Sequence, residues 1–385
     1  MSLLDVKHQG FAQRSIQRAV AGERTAHSYI FHGPDGVGKE MMARGLAQLL
    51  LCGQPVDQPV DDDQRAAIGV DSLRTGCGSC EDCRAVLADA HPDQHVVYRQ
   101  LHRDHPDPDV RRRKGLEISV DVLRHFLIDR VHMTPARGRA KVFLLREADR
   151  ITSQAQNALL KTLEEPPGST FIMLLTASLD RLLPTTQSRC QIVAFNTLPA
   201  AFVRDCLGRI AGDLSGDEAE WYARGADGSV GAALERVGDG LFGLSARLIE
   251  ALTGASAVAP GELTAQWTGE SKKLGEAYRK RDPEITDTEA IRRGFKTVFQ
   301  LAAQYFADLA RVAAGDAPGV INRSIADRLT GAAKRVGAER AAGAIERIVR
   351  AERQLDRNAN VHLVVETLAN DLARIAAPPT PVGAR

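Results

Sequence analysis

The sequence predicts an α/β fold with a parallel sheet, followed by helical parts. Strand-like and helix-like patterns alternate through the first ~200 residues, a glycine-rich segment joins the first strand to the first long helix, and strand patterns cease after Pro199. The 385 residues suggest two or three domains at roughly 150 residues each. We expect a sheet domain over 1–197 with a cysteine module inserted at about 52–83, a small helical domain over 198–242, and an all-α domain over 243–385.

Taken in order, Ser28-Tyr29-Ile30-Phe31 is a short apolar run of strand type. Met42, Leu46, Leu49 and Leu50 then recur at helical spacing. Val142 to Leu145 and Phe171 to Leu175 are continuous apolar runs of buried-strand type. Between them a helix is expected, with Ser153 as N-cap, Ala158, Leu159 and Leu163 on one face, and Pro166-Pro167 as its stop. Residues 200–242 read as short helices around a glycine-rich turn. Farther on, Phe295, Phe299, Ala302, Phe306 and Leu309 form one apolar stripe, and Ile345, Ile348 and Val349 belong to another. Residues 254–283, with Pro260 and Pro283, read as an irregular connection, and the tail APPTPVGAR as disordered. Asp57–Arg74, acidic at its start, and the basic stretch Arg99–Lys114 read as solvated loops; a contact with DNA or a partner is the functional alternative for the second.

Charged residues are 26% and hydrophobic residues 44%, an ordinary soluble balance. No apolar run approaches the ~18 residues that span a bilayer, and MSLLDVKHQGFAQRSIQ has no apolar core of a secretory signal, so no membrane partner and a cytoplasmic location are expected. A net charge of +1 excludes a protein that coats nucleic acid indiscriminately, though not a local basic surface.

Gly33-Pro34-Asp35-Gly36-Val37-Gly38-Lys39 matches G-x-x-x-x-G-K between a strand and a helix. Gly33, Gly36 and Gly38 let backbone N–H groups wrap phosphates, the helix start adds a positive dipole end, and Lys39 reaches the β- and γ-phosphates. The next position should offer a magnesium-binding hydroxyl, and here it is Glu40, an anion that would face the triphosphate unless it turns away. The acidic pair expected after the next core strand reads Arg146-Glu147. Glu147 has the chemistry of a water-activating base, but a cation at 146 cannot coordinate magnesium. Two magnesium positions carry the wrong chemical type, so efficient ATP hydrolysis is not expected; the loop is either a relic or a weak nucleotide site.

Four of the six cysteines fall within 32 residues: Cys52, then Cys77-x-x-Cys80-x-x-Cys83. Such crowding in a cytosolic chain favours a metal over disulfides, and four thiolates close a tetrahedral structural zinc site. An iron–sulfur cluster and free thiols are the alternatives. Cys190 reads as a packed core thiol.

HSYIFHGPDGVGK, GRAKVFLLREADRI, NALLKTLEEPP and Ser188-Arg189-Cys190 together resemble the bacterial clamp-loader subunits of DNA polymerase III, of the AAA+ class, over about residues 20–195. Leu355-Asp356-Arg357-Asn358-Ala359-Asn360 with Leu363, Val364 and Leu368 looks like the last helices of that family's collar. The resemblance implies a RecA-like AAA+ domain with a zinc module, a helical lid and an all-α collar. It implies zinc on Cys52, Cys77, Cys80 and Cys83. Two kinds of subunit share these blocks. The tau/gamma kind has intact ATPase positions and the delta-prime kind degenerate ones, so Glu40 and Arg146 align this chain with delta-prime; an active tau/gamma-like ATPase and a non-replicative AAA+ protein are the alternatives. Gly231 stands where the ATPases carry a γ-phosphate-sensing Arg, and Thr176 stands where they carry their first polar sensor. The implied partners are tau/gamma and delta subunits, with the sliding clamp and primed DNA reached through the assembly. Arg189 is implied as an arginine finger supplied in trans to a neighbouring ATP site.

Overall fold

The computed structural model describes residues 2–21, 26–137, 139–253, 259–316 and 319–376. The tail 377–385 lies outside them, as do residues 254–258 of the expected irregular connection. The chain forms two compact units, Met1–Pro199 with Gly228–Gly231, and Ala200–Asp227 with Ala232–Arg385.

Among the described residues the first unit has seven strands, β1 (Ser28–His32), β2 (Val56–Pro59), β3 (Ser72–Thr75), β4 (Gln94–Val97), β5 (Lys141–Leu145), β6 (Thr170–Thr176) and β7 (Gln191–Ala194). Five make one parallel sheet in the order β4-β5-β6-β1-β7. β5 and β6 are buried at every position, which is why they read as continuous apolar runs. The register pairs Ser28 with Ile172 and Lys141 with Thr170, so β1, β5 and β6 end side by side. Gly33, Arg146 and Thr176 therefore share the carboxyl edge of the sheet, where open α/β sheets bind ligands.

Helix Ser153–Glu164 ends before Pro166, as expected, but its N-cap is Thr152, whose hydroxyl accepts from Ala155 N at 3.2 Å. Helices α1 (Gly10–Ala21), α2 (Lys39–Leu51), α3 (Asp62–Ile68) and α4 (Glu81–Leu87) complete the part of this unit around the loop and the cysteines.

Two stretches read as loops are built structure. Residues 56–75 form the antiparallel hairpin β2–β3 with α3 between its strands. The acidic start serves that helix: Asp61 caps it by accepting from Gln64 N at 2.7 Å, and Asp62 and Asp63 face the positive end of its dipole. Val60, Ile68 and Leu73 bury together against Leu4. In the basic stretch, Arg103 and Arg111 to Lys114 are exposed as expected, but Arg99 is 5% exposed.

In the second unit no strand occurs among the described residues. The expected irregular connection is instead the 22-residue helix Pro260–Arg281. Pro260 occupies the first helical turn, where its missing N–H costs nothing, and Pro283 follows the end. Leu263, Trp267, Leu274 and Tyr278 form the buried stripe. This helix packs on Asp287–Ala314, whose Phe295, Phe299, Ala302, Phe306 and Leu309 are all buried as expected. The stripe of Ala338–Asp356 is only partly the expected one. Ile348 is buried, but alanines 341, 344 and 351 and Leu355 fill the rest of the face, and Val349 is exposed.

Candidate functional site

The glycine-rich loop adopts the backbone its glycines allow. Gly36 has φ +73°, and a Cβ there would lie 2.5 Å from Gly231 Cα. Gly33 has φ +148°, and a Cβ there would lie 2.3 Å from the carbonyl oxygen of Phe195. Lys39 is buried and its Nζ is turned back into the loop, donating to the carbonyls of Gly33 at 2.5 Å and Pro34 at 2.7 Å and meeting Asp35 Oδ1 at 3.1 Å.

Glu40 has turned away from the loop. Its Oε1 accepts from Arg44 Nε at 2.8 Å and also from the guanidinium of Arg146, which lies over the Tyr98 ring. The two residues of wrong type for magnesium are thus paired with each other. Their charges are plain from the sequence but their pairing is not, since 106 positions separate them. The next residue, Glu147, sits in a left-handed backbone with φ +51°. Both its oxygens accept from Nε of the buried Arg99 at 3.1 Å, and Arg150 lies 3.4 Å away. Arg99 also donates to the carbonyl of Gly115 at 3.0 Å. Nothing in the sequence connects Arg99 to this site beyond its place at the start of a basic stretch.

Thr176 is buried, its hydroxyl 3.2 Å from Asp149 Oδ1 and 2.9 Å from the carbonyl of Ser178. The segment Gly228–Gly231 lies directly on the loop. Ser229 Oγ donates to the carbonyl of Asp35 at 2.6 Å, and Gly231 N donates to that of Gly36 at 3.3 Å. A Cβ at Gly231 would come within 2.7 Å of Gly36 Cα, so an arginine there would collide with the loop as it stands.

Arg189 stands elsewhere. β1 and β7 run parallel with Tyr29 opposite Gln191, so Arg189 precedes β7 at the amino edge of the sheet, while the loop follows β1 at the carboxyl edge. A strand of this length separates the two by roughly 16 Å. Arg189 Nε donates to Glu164 Oε2 at 3.1 Å and its Nη1 to the carbonyl of Thr185 at 3.0 Å. The adjacent Cys190 packs against the core, and burial pushes its thiol up to about 12.

The sulfurs of Cys52, Cys77, Cys80 and Cys83 all lie within 4.8 Å of one another. The separations Cys52–Cys80 and Cys77–Cys83 are both 3.9 Å. Four thiolates at ~2.3 Å around a tetrahedral ion stand about 3.8 Å apart, so the quartet has the dimensions of a zinc site. Backbone N–H groups of Gln54 and Cys77 point at Cys52 Sγ at 3.3 Å, that of Cys80 at Cys77 Sγ at 3.3 Å, and that of Cys83 at Cys80 Sγ at 3.4 Å. The amide of Cys80, with the amide and hydroxyl of Ser79, pulls the Cys77 thiol down to about 6, whereas burial pushes Cys52 and Cys83 up. The 24 residues between Cys52 and Cys77 do not separate them, because the hairpin pairs Val56 with Thr75 and returns the chain to where it left. Arg139 Nη1 holds the carbonyl of Cys52 at 2.8 Å.

A parallel sheet with the glycine-rich loop after an inner strand, a buried threonine ending the neighbouring strand and a glycine segment closing over the loop define an α/β domain of phosphate-loop build. Residues 8–199 match the family model described as "DNA polymerase III, delta subunit", and over that stretch the chain belongs to this family of clamp-loader subunits. It is similar to DNA polymerase III subunit delta' of Pseudomonas aeruginosa, 33% identical over 58% of this chain and 60% of that one. It is similar to subunit delta' of Bacillus subtilis, 29% identical over 50% of this chain and 49% of that one. It is also similar to subunit gamma/tau of Mycobacterium bovis, 32% identical over 54% of this chain and 31% of that one. The chain thus spans between 31% and 60% of the length of these relatives. No helix among the described residues is long and apolar enough to cross a membrane.

Proposed function

We propose that this chain is a delta-prime subunit of a bacterial DNA polymerase III clamp loader, a non-hydrolysing stator that helps place the sliding clamp on primed DNA alongside tau/gamma and delta subunits. The observation that carries this reading is the Glu40–Arg146 ion pair. Its guanidinium stands in for the divalent cation between the two positions that an ATPase needs for magnesium. The internal hydrogen bonds of Lys39 and the Gly228–Gly231 contact support the same reading. Cys52, Cys77, Cys80 and Cys83 would hold one structural zinc ion, with no open position for chemistry. Arg189, remote from its own chain's loop, would complete the ATP site of an adjacent tau/gamma subunit. Residues 1–197 would form the nucleotide-binding-like domain, 198–242 the lid and 243–385 the collar.

ATP turnover of the purified chain tests this. Trace activity that Lys39→Ala leaves unchanged is expected. Turnover like that of ordinary AAA+ enzymes, abolished by Lys39→Ala, would move the chain to the tau/gamma class. A pull-down from native cells that brings no other loader subunit would favour a non-replicative AAA+ role.

A further inference from the structure

The helical unit contains a cavity of about 330 Å³ whose wall includes Arg236, Arg293, Lys296, Tyr278 and Thr297. Arg236 is the unusual member. Its Nη1 donates to the carbonyl of Gly225 and its Nη2 to Gln304 Oε1 at 3.1 Å, and its guanidinium lies 5.1 Å from the centre of the Trp221 ring. Its Nε is buried with no hydrogen-bond partner. Among the described residues its hydrogen-bond partners are neutral groups, and Asp227 acts on it only through longer-range attraction. Burial accordingly pulls its pKa down.

The other charges around the cavity are largely spoken for. Asp239 pairs with Arg281, Lys296 with Asp356, and Glu235 reaches Arg293 only at 4.0 Å. Of Arg236, Arg281, Arg293 and Lys296, Arg236 alone has no carboxylate within ion-pair distance among the described residues, and its Nε is buried. A half-buried guanidinium with no carboxylate paired to it is stabilised by any anion that can enter beside it. Arg293 lies over the Tyr278 ring at 4.7 Å, which holds one cationic wall in place without occupying its donors.

We propose that this cavity binds a small phosphate anion, orthophosphate or pyrophosphate, held by Arg236 with Arg293 and Lys296. The planar guanidinium of Arg293 offers paired N–H donors to phosphate oxygens, and Arg236 and Lys296 add positive charge. The volume lies at the lower end of small-ligand pockets, which suits one or two phosphoryl groups better than a nucleoside triphosphate.

Calorimetric titration of the full chain with each anion, at matched ionic strength, tests the site. Saturable one-to-one binding of at least one of the two is expected, and which one binds identifies the ligand. Arg293→Gln/Lys296→Gln, changed at the cavity wall and away from the core, should raise the dissociation constant tenfold or more, while Lys39→Ala leaves it unchanged. A matching rise in melting temperature with added anion should vanish in the double variant. No saturable binding, equal binding by the double variant, or binding lost in Lys39→Ala but kept in the double variant would each overturn the proposal; the last would place the anion in the glycine-rich loop.

Discussion

At Glu40 and Arg146 two substitutions that look like independent losses turn out to be one interaction. Side chains a third or more exposed make a pair of modest strength, about 0.5–1 kcal/mol. A double-mutant cycle of Glu40→Gln and Arg146→Met in urea unfolding should therefore give a coupling of that size, and a coupling of zero would mean the contact contributes nothing in solution. Arg99 is different, because its guanidinium is buried and its partner Glu147 is held in a left-handed backbone. Arg99→Met should cost about 1–3 kcal/mol, since Glu147 then loses both hydrogen bonds and Gly115 its donor. Unfolding curves that superimpose on wild type would show that solvent replaces Arg99 freely. At this scale the sequence told the chemical type of each group. It could not tell the pairings, which join residues 48 and 106 positions apart.

Among the elements, those with unbroken apolar runs were legible: β1, β5, β6 and the phenylalanine stripe. Those that depend on polar end-caps or on small residues were not. The hairpin insertion looked like a solvated loop because its acidic run is a helix cap and its core is three residues. Helix Pro260–Arg281 was hidden by two prolines that bracket it. That helix meets its neighbour at Gly294, where an added Cβ would lie 2.2 Å from the carbonyl oxygen of Ser271. Gly294→Ala should force the two helices apart and cost about 1–3 kcal/mol, read as a lowered denaturation midpoint; an unchanged midpoint would mean the pair can slide at no cost. The clustering of the four cysteines was legible from ligand type and spacing, but the hairpin that returns the chain across the gap from Cys52 to Cys77 was not. Cys80→Ser should lose bound zinc and lower the melting temperature, and elemental analysis of wild type showing under about half an equivalent of zinc would refute the site. In metal-free protein Cys77 sets an acid limit. Its folded pKa is depressed from the ordinary thiol value to about 6, so its thiolate favours the fold fully above the ordinary value and loses that contribution as pH falls toward 6.

For the whole molecule, Arg189 and the glycine-rich loop stand at opposite edges of the sheet, so Arg189 does not reach this chain's own loop. Arg189→Ala removes an exposed ion pair with Glu164 and should change stability by less than about 1 kcal/mol. In a reconstituted loader the same variant should assemble normally yet depress the DNA- and clamp-stimulated ATPase, partially if one site is affected and more if the sites are coupled. Lysine there should not restore full activity, because it lacks the planar fork. Wild-type turnover and clamp loading by an Arg189→Ala complex would leave Arg189 as the partner of Glu164 and nothing more.

The contact between Gly36 and Gly231 also bears on ancestry. Suppose a lineage carrying this loop came under selection to hydrolyse ATP again. Restoring a hydroxyl at 40 alone strands the Arg146 cation; restoring an acid at 146 alone sets two carboxylates against each other. A sensor arginine at 231 cannot enter until the loop and the segment above it part. Each single step back runs uphill before any catalysis is recovered. On the proposed function the fold would thus act as a ratchet against the return of hydrolysis.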